Sequence, residues 1–144
     1  MLRYSEASRD YTGVVCSRDP SDYLRMTGSD IIMEETIFSK IIAKKIPAKI
    51  VFEDEHYIVI EDVNPQAPVH VLVIPKKPIA TLNDLTPEDA EMIGGMFILA
   101  GGIMRKLGQT DYRTVFNCGP GAQQSVFHLH LHVLAGRPFT WPPG

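Results

Sequence analysis

Between Phe127 and Leu134, three histidines (His128, His130 and His132) alternate with Leu129, Leu131 and Val133. In an extended chain, successive side chains point to opposite faces. The imidazoles therefore share one face and the branched apolar residues share the other. The apolar row can enter a core while the imidazole row stands over a cleft. The chain has only five histidines, so this concentration points to chemistry at this strand. Three chemistries fit. Two histidines one residue apart on a strand can share a zinc ion. One imidazole can attack phosphorus while its neighbours orient it and donate hydrogen bonds. The third is a merely polar or pH-sensitive strand face. Spacing alone leaves the first two open.

The flanking residues favour phosphorus. The loop from Gly119 to Ser125 offers unencumbered backbone amides, the Gln124 amide and the Ser125 hydroxyl. Such donors suit the oxygens of a phosphate. A zinc site usually brings a thiolate, or carboxylates as ligands or supports. No carboxylate follows Asp111. We expect neither a metal nor a cofactor.

Other elements must hold that strand in place. The 144 residues, 44% hydrophobic and 22% charged, suit one globular domain. A net charge of −3 gives no bulk attraction to nucleic acid or to an anionic membrane. No apolar run reaches membrane-spanning length. Cys16 and Cys118 make neither a disulfide framework nor a zinc pattern, which suits a reducing, intracellular setting.

Residues 1–33 mix arginines with Glu6, Asp10, Asp19, Asp22 and Asp30, and read as a flexible leader. The acids count against a mitochondrial presequence, and no apolar stretch suggests secretion. The domain is expected over residues 34–144. Ile37, Phe38, Ile41 and Ile42 predict a short helix. Strands are expected at 49–54, 57–62, 70–74 and 113–117, besides the histidine strand at 127–134. Thr86 and Pro87 open a long helix that ends near Leu107, before Gly108. Its expected buried stripe is Ile93, Phe97, Ala100, Met104 and Leu107. Gly94-Gly95 and Gly101-Gly102 share a face that another backbone, such as a second subunit, should approach. The order predicts an α+β fold: a five-stranded antiparallel sheet with one long and one short helix.

The run from His128 to Leu134 resembles the His-x-His-x-His-x-x signature of the histidine triad superfamily. Three other segments are similar to its Hint branch of nucleoside phosphoramidases. They are Thr36-Ile37-Phe38-Ser39-Lys40-Ile41-Ile42, the run from Asn64 through His70 to Lys77, and the ending Trp141-Pro142-Pro143-Gly144. That ending, with Gln124-Ser125, favours Hint over the diadenosine-polyphosphate hydrolases.

The resemblance implies that His130 is the nucleophile toward an α-phosphorus and that His128 orients it. His132 would contact phosphate, and His70 would support the cluster from a neighbouring strand. Ser125 and Gln124 match contacts to phosphate and leaving group, and Asn117 matches a nucleotide-binding asparagine. Asp62 matches the acid that accepts both ribose hydroxyls, with Val63 beside it. Ile37, Phe38, Ile41, Ile60 and Leu72 would line an apolar slot for the base. Trp141 would reach the partner's site in a homodimer. The ligand implied is a purine nucleotide, an AMP or GMP phosphoramidate, with no nucleic acid and no membrane. A cytoplasmic location is implied, with nuclear entry and organellar targeting left open.

Two rival readings are a nucleotide-binding adaptor and a zinc-dependent hydrolase. One departure stands out. Gln123 occupies a nucleotide-binding loop position where the family usually has Gly, the residue suited to positive φ or to close ligand approach.

Overall fold

The computed structural model describes residues 35–144, so the leader expected over residues 1–33 lies outside the described residues. Helix α1 (Ile37–Ile42) precedes strands β1 (Ile50–Glu53), β2 (Tyr57–Glu61) and β3 (Val69–Pro75). Helix α2 (Ala90–Lys106), strand β4 (Tyr112–Val115) and strand β5 (Leu131–Ala135) follow. The strands form one sheet in the order β1-β2-β3-β5-β4, with every neighbouring pair antiparallel. The fold is therefore α+β with a five-stranded antiparallel sheet, one long helix and one short one. Among the described residues, no helix is long and apolar enough to cross a membrane.

Local chemistry sets the joints. Thr36 caps α1 by accepting the Ser39 amide at 3.1 Å. Asp54 Oδ1 accepts the amides of His56 and Tyr57 at 2.8 and 2.7 Å, closing the β1–β2 hairpin. Thr86 and the buried Asp89 form a capping box, and Lys77 donates to Asp89 at 2.5 Å. The helix signal at Thr86-Pro87 first yields a 3-10 turn over Pro87–Asp89, and α2 begins at Ala90. Gly108 ends it with a φ of 69°, as a left-handed stop.

The sheet has two covered faces. On one, Val59, Val71, Val73, Leu131, Val133 and Ala135 pack against Met96, Ala100, Ile103 and Met104 of α2. On the other, Ile58, Ile60, Leu72 and Ile74 pack against Phe38 and Ile41 of α1. Alternation along β3 and β5 assigns His70 and His132 to the α1 face. Leu72 lies opposite His132 in the ladder.

Two expectations are corrected here. The histidine segment is not one strand over 127–134, because the ladder begins only at Leu131. Upstream, the chain leaves β3 and is held by the bond from the Leu129 amide to Ile79 O at 2.7 Å. The buried face of α2 is centred on Met96, Ala100, Ile103 and Met104, while Phe97 and Leu107 are 44% and 42% exposed. Both stripes share Ala100 and Met104, so the sequence did not decide which way the helix was rotated about them.

Within the chain, the glycine face meets tyrosine side chains. A Cβ at Gly95 would overlap the Tyr57 hydroxyl, and one at Gly101 would lie 3.3 Å from the Tyr112 hydroxyl. Tyr57 is fixed there by donating to Met92 O at 2.9 Å. Gly94 faces open space.

These two neighbouring glycines should respond oppositely to alanine. Gly94→Ala should raise the unfolding free energy by up to about 1 kcal/mol, the helix-propensity difference. Gly95→Ala should lower it, because the clash with Tyr57 outweighs the same gain. Urea unfolding of the two variants checks both signs.

Candidate active site

The imidazoles form a continuous row across the α1 face. The His130 ring lies 4.9 Å from Phe38 and 4.9 Å from His132, centroid to centroid. The His132 ring lies 5.2 Å from His70. His128 flanks Phe38 on an edge at 6.3 Å. At the far end, Asp62 Oδ2 sits 3.4 Å from His70 Nε2 and 4.0 Å from His132 Nδ1. His70, His128 and His130 are buried, and His132 is half-buried.

Hydrogen bonds to the main chain decide which nitrogen of each ring carries the proton. A carbonyl oxygen can only accept, so the ring atom facing one must donate. His130 Nδ1–H donates to His128 O at 2.7 Å, which leaves the Nε2 lone pair of a neutral ring free. His128 Nε2–H donates to Pro75 O at 2.7 Å. His70 is ordered the other way: its Nδ1 accepts the Gln66 amide at 3.0 Å. Its proton therefore sits on Nε2 and points at His132 Nδ1, 2.9 Å away. His132 then carries its own proton on Nε2. The arrangement leaves Nε2 of His130 and Nδ1 of His128 unprotonated and makes His132 Nε2–H a neutral donor.

Burial keeps these rings uncharged. It is the largest influence on all four, and it lowers each below the usual histidine value of 6.5. His132 is pushed down to about 4, by burial first and then by His130 and His70. The Asp62 carboxylate works against this at His70, His130 and His132 without overcoming it.

The loop after β4 differs from its expected role. The amides of Ala122, Gln123 and Gln124 are not free. They donate inward to Gly119 O, Pro120 O and Gly119 O at 3.2, 3.0 and 3.0 Å. The Gln124 side chain is buried and spent as a strut. It accepts the Gly119 amide at 2.9 Å and donates to Ala80 O and Val126 O at 2.8 and 3.1 Å. Its amide does not stand ready for a phosphate. Ser125 is exposed at the end of this loop, and Asn117 is half-buried at its start. Gln123 has a φ of 68°, in the left-handed region, so the position where the family usually has Gly does require that conformation.

Most residues expected to line the base slot are buried. Ile41, Ile60 and Leu72 are buried in one cluster, while Ile37 is 51% exposed. Phe38, expected to line that slot, packs against the rings of His128 and His130. Asp62 Oδ1 accepts the Asn64 amide at 2.8 Å, and Val63 is almost fully exposed. Trp141 is exposed near the chain end. Three contributors escaped sequence reading: the carbonyls of His128 and Pro75 and the amide of Gln66. Backbone groups carry no residue-type signal. A cavity of about 420 Å³ between Tyr57, Lys76, Lys77 and Met92 contains none of the row. Two of its charged side chains are already paired, Lys77 with Asp89 and Lys76 with Glu53.

Asp62, His70 and His132 could also be read as a metal cluster. Their facing atoms form a triangle with sides of 2.9, 3.4 and 4.0 Å. The point equidistant from all three lies about 2.0 Å from each, a zinc–ligand length. The tautomer of His70 opposes this. A metal on Nε2 would move the proton to Nδ1, where it would point at the Gln66 N–H. A ligating histidine needs an acceptor at its second nitrogen, and here it finds a donor.

An antiparallel five-stranded sheet with a buried histidine row on its short-helix face defines a histidine triad domain. A family model described as "Scavenger mRNA decapping enzyme C-term binding" matches residues 35–138. An uncharacterized HIT-like protein of Synechocystis sp. is 55% identical over 112 residues, covering 77% of this chain and 98% of that protein. The structure of a HIT family hydrolase from Legionella pneumophila superposes with a TM-score of 0.74 at 46% identity. The match covers 76% of this chain and all of that one. A zinc-bound histidine triad family protein from Mycobacterium smegmatis gives a TM-score of 0.62 at 35% identity, covering 70% of this chain and 74% of that one. The chain belongs to the histidine triad superfamily.

Two measurements test the site's physics. Above about pH 6.5, folded and unfolded chains both hold neutral imidazoles. Below 6.5 the unfolded chain takes protons first, so stability falls with acid; for His132 the window runs from 6.5 down to about 4. Urea midpoints should drop across that range, and His132→Gln should flatten the slope. Separately, Gln123→Gly should stabilise the fold by up to about 1 kcal/mol, relieving the left-handed cost less the entropy that glycine adds to the unfolded chain.

Proposed function

We propose that the chain is a purine nucleoside phosphoramidase of the Hint branch, with residues 34–144 as its catalytic domain. It hydrolyses the P–N bond of adenosine 5′-monophosphoramidates, and of their guanosine counterparts, through a nucleotidyl-histidine intermediate. The observation that carries this reading is the bond from His130 Nδ1–H to His128 O, which leaves Nε2 as a free lone pair in a neutral buried ring.

In the first step, His130 Nε2 attacks the α-phosphorus. The new N–P bond forms as the substrate's P–N bond breaks, and the amine leaves with a proton drawn from solvent. In the second step, water attacks phosphorus and gives up a proton to solvent, the His130–P bond breaks and the nucleoside monophosphate is released. His132 Nε2–H donates to a non-bridging oxygen as negative charge builds on it. Ser125 is the exposed hydroxyl available to the leaving group. The Asp62 carboxylate, which only accepts, suits vicinal ribose hydroxyls and so favours a ribonucleotide. In this reading Asn117 and the Ile37 edge of α1 meet the nucleoside. Trp141 completes the site of a second copy in a homodimer, and the protein works in the cytoplasm. Activity named in the matched family model belongs to its namesake. The Trp141–Gly144 ending and Ser125 favour phosphoramidates here.

A zinc-dependent hydrolase is the second reading, favoured by the convergence of Asp62, His70 and His132 and by the zinc-bound mycobacterial relative. The proton on His70 Nε2 weighs against it.

His130→Ala should bind AMP yet lose turnover of an AMP phosphoramidate by about a thousandfold or more. Rapid quench of the wild type should trap an AMP adduct on His130, read by mass spectrometry. A pure nucleotide binder gives no adduct. Near-normal turnover in His130→Ala overturns the nucleophile assignment. Full activity in chelator, with no metal in the purified protein, removes the zinc reading.

A further inference from the structure

We infer that Arg137 is a positioning residue: by clamping the carbonyl of Gln66, it holds the Gln66 amide against His70 and so fixes the direction of the imidazole relay. The inference rests on the function proposed above and names a part of its machinery that lies outside the row.

The contacts run in sequence. Arg137 Nε and Nη2 donate to Gln66 O at 3.2 and 3.1 Å, a two-pronged grip on one carbonyl. The N–H of the same residue, Gln66, donates to His70 Nδ1 at 3.0 Å. His70 Nε2–H then faces His132 Nδ1 at 2.9 Å. Pro65 has no N–H, so Gln66 supplies the donor at this point of the loop. The rest of the loop is pinned around it. The Asn64 amide donates to Asp62 Oδ1 at 2.8 Å, and the Gln66 side chain donates to Asn64 O at 3.0 Å. Gly136 packs on Pro68, where a Cβ would come within 2.9 Å of Pro68 Cβ. Its φ of 90° turns the chain leaving β5 back toward the loop, which brings Arg137 onto Gln66.

Arg137 is itself held in place. Its guanidinium lies 4.4 Å from the centroid of Phe139, and Arg113 lies 5.0 Å from the same ring. Nη1 of Arg137 donates to Pro138 O at 3.1 Å. Arg113 anchors the tail separately, donating to Thr140 O at 2.9 Å. Arg137 is exposed, so its bonds add little to global stability. What they add is orientation. Without the Gln66 N–H in place, only Asp62 Oδ2, 3.4 Å from Nε2, still favours that tautomer. If the proton moves to Nδ1, His70 Nε2 becomes an acceptor and His132 must turn its proton inward. The donor expected at the phosphate is then lost.

The test reads the tautomer directly in the full-length protein without substrate. Long-range proton–nitrogen NMR correlations of labelled protein at pH 7.5 should show His70 protonated on Nε2. Arg137→Gln should shift His70 toward Nδ1 protonation or an averaged state, with His132 following. Arg137→Lys, which can offer only part of the grip, should fall between them, and it stands in if Arg137→Gln does not fold. Arg113→Gln, which loosens Phe139 and Thr140 but keeps the Arg137 grip on Gln66 O, should leave the His70 tautomer unchanged. The titratable groups facing His70 are Asp62 and His132, with His130 beyond, so its titration should be followed alongside theirs.

With an AMP phosphoramidate, Arg137→Gln should lose roughly ten- to a hundredfold in kcat, with KM changed less than about threefold. An unchanged His70 tautomer in both Arg137 variants overturns the inference, as does an equal change in Arg113→Gln. A wild type that shows the ordered tautomers but no turnover overturns the proposed function alone.

Discussion

The site depends on proton placement along the histidine row more than on the number of histidines. Three main-chain groups impose it: His128 O, Pro75 O and the Gln66 N–H. Two of them face ring nitrogens that must donate, and one faces a nitrogen that must accept. An imidazole in water would sample both tautomers and titrate near neutrality. Here burial removes the charged form, and the fixed partners remove the wrong neutral one. The row is thereby committed to one pattern before any ligand arrives, so no reorganisation is needed at the moment of reaction.

Such commitment needs a rigid frame. β3 supplies it, being buried along nearly its whole length and flanked by β2 and β5. α2 seals one face with aliphatic side chains, and α1 seals part of the other. The remaining part of that face is the histidine row. Buried polar groups are tolerated only when partnered. Among the described residues, every buried side-chain polar atom has a partner. Gln124 and Asp89 illustrate the cost, since both are fully engaged in holding loops and turns.

Much of the frame was legible in the sequence because it follows from periodicity and punctuation. The number and order of strands and the α1 and α2 segments came from apolar spacing, with Pro and Gly as breaks. Alternation assigned Leu131 and Val133 to the core and His132 to the opposite face. What escaped was whatever depends on a third dimension. Two candidate stripes on α2 share Ala100 and Met104, and the packing of Met96 and Ile103 against the sheet decides between them. The Gly119–Ser125 loop looked rich in free amides, yet a 3-10 turn folds three of them inward. Gln124 was chemically able to contact a phosphate, and the fold uses it as a strut. The Gln66 amide, aimed at a ring nitrogen, has no residue-level signature at all.

Asp62 ties the row to the ligand proposed for it. Its Oδ1 takes the Asn64 amide, and its Oδ2 faces His70 and His132. In the free protein, that negative charge is the one influence favouring protonation of His70, though burial outweighs it. Ribose hydroxyls donating to the same carboxylate would spread its charge and weaken its pull on the imidazoles. Binding of a ribonucleotide would then move the row further from protonation, keeping His130 Nε2 free while the phosphate brings its own negative charge close by. A deoxyribose, offering one hydroxyl fewer, would leave more of the Asp62 charge acting on His70 and His132. In the proposed function, ribose recognition and the protonation state of the nucleophile would thus be linked through one side chain, and a change at Asp62 would reach both.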